Sequence, residues 1–325
     1  MHGPRQIRAA TRGSRLALWQ TDLVAARLQE AWPGLTVERV RIETRGDRVL
    51  DVALSRIGDK GLFTRELEDA LRSREVHLAV HSLKDLPTAM PPGLALGAIL
   101  ERADPRDALV AAAPVTLDTL PRGARVGTSS LRRRAQLLAR RPDLDVRDLR
   151  GNVPTRVRKV VDGELDAAVL AMAGLIRLDL TGHVVQAFEP DVMLPAPGQG
   201  ALAVQIVSGD GELARLLEPL DHRETRLATR AERALLNQLE GGCQVPVAAL
   251  ARFASGGTLH LEAAVFDLDG SAAACAAGDA RVDDDEAADT LGRAVAADLR
   301  ARGAGEILSR ARAAAVPAPG GPPES

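Results

Sequence analysis

Hydrophobic and polar positions along this chain follow two periods, and the switches between them mark out successive strand and helix units. Leu16, Trp19, Leu23 and Ala26 recur at spacings of three and four after Ser14. This predicts a helix capped by Ser14, with those side chains as its apolar face, stopped by Pro33-Gly34. LTVERVRI (35–42) reads as a strand, TRELEDALRS (64–73) as a helix, and VHLAVHS (76–82) as a buried strand with the loop SLKDLP at its carboxyl end. After about residue 101 the pattern repeats. ARVG is a short strand, TSSLRRRAQLLARR a capped helix and DVRDL a strand. PTRVRKVVDG is a helix opened by Pro154 and closed by Gly163, and LDAAVLA a further strand. From about Asp221 the texture changes to a long helix through Leu239, the Gly-rich LEGGCQVP, three strands to about Val282 and a final Ala-rich helix. The tail AAAVPAPGGPPES (313–325) carries too little hydrophobicity to fold and is expected to be disordered.

The 325 residues exceed what one core usually organises. The pattern predicts two α/β domains followed by a small α+β domain: 1–100 with 201–220, then 101–200, then 221–312. In open α/β sheets, ligands sit beyond the carboxyl ends of the strands, where helix N-termini also point. The polar loops singled out below fall there.

Composition narrows the function classes. Apolar residues make up 46% of the chain but aromatic ones only 2%, with no tyrosine, so base-stacking platforms are not expected. The formal charge of -2 gives no global basic field and argues against a nucleic-acid binder. Lysine occurs only at Lys60, Lys84 and Lys159, so any cationic site is built mainly from arginine. Two cysteines, Cys243 and Cys275, make no disulfide framework. No apolar run approaches bilayer length and residues 1–20 lack a signal-peptide core, so the expected compartment is the cytoplasm.

TSSLRRR sets Thr128, Ser129 and Ser130 at a helix start, with Arg132 and Arg133 in the first turn. Arginine there opposes the helix dipole, and a bound anion would resolve the conflict. The alternative is an ordinary cap followed by a solvated basic face. DLRGNVPTR adds Arg150 and Arg156 around a Gly-Asn turn, and ATRGS places Arg12 and Ser14 at another strand-to-helix junction. Guanidinium forks bind carboxylates bidentately, each charge-assisted bond contributing about 1.5–3 kcal/mol. HSLKDLP puts Lys84 beside Asp85, which could stabilise a cation or shuttle a proton, or simply form a turn. His77 and His81 read as structural within a strand, and GDKGLF, with Lys60 and Phe63, as a lid or a plain loop. Gln199 in PAPGQG lies in a strand-linking hinge and could donate an amide to a ligand. Cys243, after two glycines, is the better candidate nucleophile, whereas Cys275 in AAACAAG reads as a packing residue.

Taken in order, ATRGS, GDKGLF, HSLKDLP, GTSSLRRR, LRGNVPTR, PAPGQG and LEGGCQVP resemble the porphobilinogen deaminase family over about residues 7–250. The resemblance implies two periplasmic-binding-protein-like α/β domains with the active cleft between them, a small C-terminal α+β domain, and a monomer. It further implies a dipyrromethane cofactor held by a thioether to Cys243, on which four porphobilinogen units are added with loss of ammonia before linear hydroxymethylbilane is freed by hydrolysis. Asp85 matches the catalytic aspartate. Lys84, Thr128, Ser129, Arg132, Arg133, Arg150 and Gly200 match cofactor-binding positions. Arg12, Ser14, Arg150, Arg156, Arg177 and Gln199 match substrate-binding ones, and Lys60 and Phe63 the lid. No metal, nucleic acid or membrane partner is implied. Pro154 and Arg56 depart from the family pattern without removing a catalytic group.

Two other classes fit parts of the pattern. A non-catalytic anion-binding protein would use the same arginine-lined helix starts but needs neither Cys243 nor Asp85. A nucleic-acid protein would use RRRAQLLARR as its basic face, against the net charge and the scarcity of aromatic residues.

Overall fold

A computed structural model describes residues 6–48, 64–239 and 245–315. Lys60, Phe63 and Cys243 therefore lie outside the described residues. In chain order the first group of elements is β1 (Gln6–Thr11), α1 (Arg15–Ala31), β2 (Thr36–Arg41), α2 (Arg45–Arg48), α3 (Arg65–Arg72), β3 (Leu78–Ser82) and β4 (Leu94–Ile99). The second is β5 (Asp107–Ala111), β6 (Arg125–Gly127), α4 (Leu131–Arg140), β7 (Asp145–Arg147), α5 (Val153–Val161), β8 (Ala167–Ala171), α6 (Met172–Arg177) and β9 (Val184–Ala187). The chain continues with β10 (Leu202–Val207) and α7 (Gly211–Leu217). It ends with α8 (Arg223–Gln238), β11 (Val247–Phe253), β12 (Thr258–Phe266), β13 (Ala273–Arg281), α9 (Asp285–Ala301) and α10 (Ala304–Ala315).

Two five-stranded sheets share one plan. The first runs β2-β1-β3-β10-β4 and the second β7-β6-β8-β5-β9. In each, three strands are parallel, and the fourth runs antiparallel to both its neighbours. Those fourth strands, β10 and β5, are the ones by which the chain crosses from one sheet to the other. The architecture is thus two α/β units of one topology joined by two crossing segments, with a third, smaller sheet, β11-β12-β13. Each five-stranded sheet is buried on both faces, with Ile7, Val24 and Val204 on one side of the first and Ala10, Leu67 and Leu71 on the other. The small sheet packs Leu259, Leu261 and Val265 against Leu227, Leu235 and Val295 of α8 and α9.

Three expectations change. The face of α1 that packs inward holds Gln20, Thr21, Val24 and Leu28, while Trp19 is 37% exposed. Leu16 and Trp19 turn instead toward the second α/β unit, where the Arg177 guanidinium lies 5.8 Å from the Trp19 ring centre. Leu23 does pack on the first core and Ala26 is exposed, so the apolar spacing joined core and interdomain positions in one stripe. Second, the C-terminal helix is two helices separated by Gly303 (φ +92), and α10 runs to Ala315, past the start of the tail expected to be disordered. Ile307, Leu308 and Ala311 hold it by packing on the third core, and alanine extends it at little cost. Third, Cys275 is an exposed free thiol rather than a packing residue. The two-residue period of β13 points Ala274 and Ala276 inward and Cys275 out.

The third domain touches the second through the β12–β13 turn. Gly270 (φ +76) lies so close to α4 that a Cβ there would sit 2.3 Å from Ala139 N and 2.7 Å from Leu138 C. Gly270→Ala is expected to cost about 2 kcal/mol or more from overpacking and a strained φ. Gly123→Ala, at φ +72 but in open space, carries only the backbone penalty of about 1–2 kcal/mol. Urea unfolding of both variants separates the two contributions.

Candidate active site

Between the two α/β units, side chains from several loops close on one cavity of about 90 Å³. Lys84 comes from the loop after β3, Arg133 from the first turn of α4, Arg156 from α5, Arg177 from the end of α6 and Gly200 from the second crossing segment. Lys84 follows the carboxyl end of a strand and Arg133 and Arg156 stand in first turns of helices, as the pattern predicted, whereas Arg177, at the end of α6, and Gly200, just before β10, were marked only by the resemblance. A larger cavity of about 480 Å³ lies between α4 and the third sheet, beside Cys275 and Phe266. It has no comparable convergence of cations, so the chemistry is placed in the smaller one.

Asp85 is exposed and ends a short 3-10 turn, Leu83–Asp85, closed by Leu86 N donating to Leu83 O at 3.1 Å. Leu83 is fully buried and its N–H donates to Ala201 O at 3.0 Å, which ties the turn to the second crossing segment. The charge of Asp85 acts on both Lys84 and Arg156.

The cations around it are crowded. Burial, then the neighbouring Arg133, pushes Lys84 down to about 8. Burial, again followed by Arg133, brings Arg156 down to about 10, and burial alone brings Arg177 to about 10. Arg177 donates to Gly200 O at 2.7 Å and Arg156 to Gly151 O at 2.8 Å, neutral carbonyls rather than carboxylates. Two buried guanidinium nitrogens, Arg132 Nε and Arg150 Nη2, have no hydrogen-bond partner. Such a set favours a ligand carrying several carboxylates.

One anion was missed in the sequence. Asp107, fully buried at the head of β5, takes Arg132 Nη1 at 2.7 Å and Arg133 Nε and Nη2 at 3.0 and 2.7 Å. Burial alone would raise its carboxyl, but Arg132 and Arg133 outweigh that and hold it well below the usual carboxylate range. The charge conflict at the start of α4 is therefore answered first by the protein itself. A charged residue opening the otherwise apolar DALVA was the available signal. Gln199 is part of the same network: its Nε2 donates to Asp107 at 2.9 Å and to Pro105 O at 2.8 Å, and its Oε1 accepts from Lys84 Nζ at 3.2 Å. Its amide thus positions Lys84 and Asp107.

Other sequence-selected residues are engaged structurally. Ser129 both donates to Leu149 O (2.8 Å) and accepts from Leu149 N (2.9 Å), and Thr128, buried, accepts from Ser130 N at 3.2 Å. Ser14 caps α1 by accepting from Ala17 N at 3.2 Å, and Arg12 pairs with Asp47 at 2.5 Å. Gly200 (φ +90) approaches Ala103 so closely that a Cβ would sit 2.5 Å from its carbonyl oxygen, which explains glycine where the crossing segments meet. Sequence reasoning also missed Glu232, a fully buried charge on the apolar stripe of α8. It accepts from Arg102 (2.6 Å), Gly198 N (2.6 Å) and Ala251 N (2.7 Å), and so clasps both crossing segments to the third domain.

The family model described as porphobilinogen deaminase, dipyromethane cofactor binding domain, matches residues 7–215, and that described as porphobilinogen deaminase, C-terminal domain, matches residues 226–301. The chain belongs to the porphobilinogen deaminase family. The protein named porphobilinogen deaminase in Desulforudis audaxviator is 52% identical over 311 residues, covering 96% of this chain and 99% of that one. Its namesake in Moorella thermoacetica is 51% identical over 308 residues, covering 95% and 97%. Among solved structures, a periplasmic substrate-binding protein of an ABC transporter from Coxiella burnetii aligns with 66% of this chain and 91% of its own, at 15% identity and a TM-score of 0.43. The first porphobilinogen deaminase model spans both five-stranded sheets and the second most of the third domain. Among the described residues, no helix is long and apolar enough to cross a membrane.

The lowered Lys84 value carries a pH prediction. A lysine depressed in the folded state imposes its burial cost below about 8, and that cost is relieved as pH rises toward the unfolded value of 10.5. The same deprotonation removes a positive charge from the cleft. Affinity for a dicarboxylate, followed by calorimetry across this range, is expected to fall as pH passes about 8. Lys84→Met is expected to remove the inflection.

Proposed function

We propose that this chain is a hydroxymethylbilane synthase, which condenses four porphobilinogen molecules, with loss of ammonia, and releases linear hydroxymethylbilane by hydrolysis. The observation that carries this reading is an exposed carboxylate, Asp85, acting on Lys84 and Arg156 of a cleft also lined by Arg133 and Arg177, with Arg150 close to Arg156. Residues 1–100 with 201–220, and 101–200, form the two walls of that cleft, and 221–312 the domain bearing the cofactor loop. The enzyme works as a cytoplasmic monomer.

The dipyrromethane, joined by a thioether to Cys243, supplies the nucleophilic pyrrole carbon at which growth starts. Its carboxylates suit Lys84, Thr128, Ser129, Arg132, Arg133 and Arg150, and the two unpartnered guanidinium nitrogens support that fit. Arg12, Ser14, Arg156, Arg177 and Gln199 serve the incoming substrate's acetate and propionate. When the substrate's aminomethyl group leaves as ammonia, its pyrrole ring becomes positive. The Asp85 carboxylate stabilises that charge close to the ring N–H and assists proton transfer as the new carbon–carbon bond forms. The surrounding cations draw the acidic side arms to the cleft walls.

Incubation with porphobilinogen tests the reading. Four ammonia molecules are expected for each hydroxymethylbilane released, and binding without ammonia release would instead favour an anion-binding protein.

A further inference from the structure

Asp85 ends a turn of three residues, too short to fix itself. Upstream, the turn is anchored by buried Leu83. Downstream, the chain passes through Leu86, Pro87 and Thr88, where Pro87 has no N–H to offer. All three carbonyls there are taken by one guanidinium: Arg233 Nη1 donates to Leu86 O at 3.3 Å, and Nη2 to Pro87 O at 2.6 Å and Thr88 O at 3.1 Å. One turn further along α8, on the same face, Asn237 Oδ1 lies 3.1 Å from Thr88 Oγ1. The segment following the carboxylate is therefore held by a helix of the third domain. Glu232, next to Arg233, ties that same helix to both crossing segments.

We infer that Arg233 is a positioning residue for the reaction, holding the Asp85 turn in register with α8. The inference rests on the role proposed above for Asp85. A planar fork spanning successive carbonyls fixes both the position and the tilt of the turn, which an ammonium cannot do. Displacement of a reacting carboxylate by about 1 Å can cost on the order of 10²-fold in rate without any loss of substrate contact.

The test uses the full-length holoenzyme as Arg233→Met and Arg233→Lys. Arg233→Met is expected to lower kcat by roughly 10- to 100-fold with KM changed less than about 2-fold. It is also expected to accelerate hydrogen exchange in the peptide spanning residues 83–90 and to leave cofactor loading by intact mass unchanged. Arg233→Lys recovers only part of kcat. Should Arg233→Met not fold, Arg233→Lys carries the test, with faster loop exchange and lowered kcat still required. Unchanged exchange in the loop, or faster exchange with normal kcat, would overturn the inference. If instead Asp85→Asn turns over normally, the reading of Asp85 fails, while the exchange result still reports whether Arg233 holds the turn.

Discussion

Asp85→Asn should purify folded and loaded with cofactor, yet turn over about 10²–10⁴-fold more slowly, the range a positioned acid–base group supplies. That corresponds to roughly 3–5 kcal/mol of lost transition-state stabilisation. Stability is spared because the residue is exposed and its turn is closed by backbone, through Leu86 N and Leu83 O. The amide keeps the shape of the carboxylate but neither its charge nor its basicity, so the cation formed on ammonia loss goes unbalanced among Lys84 and Arg156. Steady-state ammonia release, alongside intact mass to establish loading, measures the effect. Normal turnover in a loaded variant would remove Asp85 from the reaction.

Asp107→Ala is the substitution expected to cost most in stability. It leaves two buried guanidinium groups, Arg132 and Arg133 at 3% and 6% exposure, without their shared anion. Removing one partner of a buried pair typically costs about 3–5 kcal/mol, because the remaining charge cannot be rehydrated. The pH dependence has a definite sign. The folded carboxyl titrates below its ordinary value of 3.8, so its contribution is complete above that value and is lost as pH falls beneath it. Urea unfolding near neutrality is expected to show the full difference between wild type and variant, and the gap to narrow in acid. A variant as stable as wild type would mean that the arginines find another partner, and the network drawn around Asp107 would be wrong.

The α/β alternation was legible because strands and helices carry different periods and several helices their own caps, as Ser14, Ser130 and Asn152 illustrate. The sheets' order was not, since β5 and β10 pair with strands far away in sequence, and nothing local specifies their antiparallel insertion. The same limit applies at the cleft. Lys84 and Arg156 were recognisable from their local sequence and Arg177 only through the resemblance, but the carboxylate that satisfies Arg132 lies 25 positions away, and only folding joins them. Trp19 shows the complementary difficulty: helical spacing reveals an apolar face but not whether it meets a core or a neighbouring domain. Where the resemblance carried residues, it marked places in the cleft without distinguishing side chains free to meet a ligand from those, such as Ser129 and Gln199, already bonded within the protein.

The central claim is tested by intact mass spectrometry of freshly purified, active protein, followed by mapping of the modified peptide. The predicted result is a mass above that of the bare chain by one two-pyrrole unit, located on the peptide containing Cys243, with Cys275 unmodified. Active protein with the unadorned sequence mass, or with the adduct on Cys275, would contradict the account.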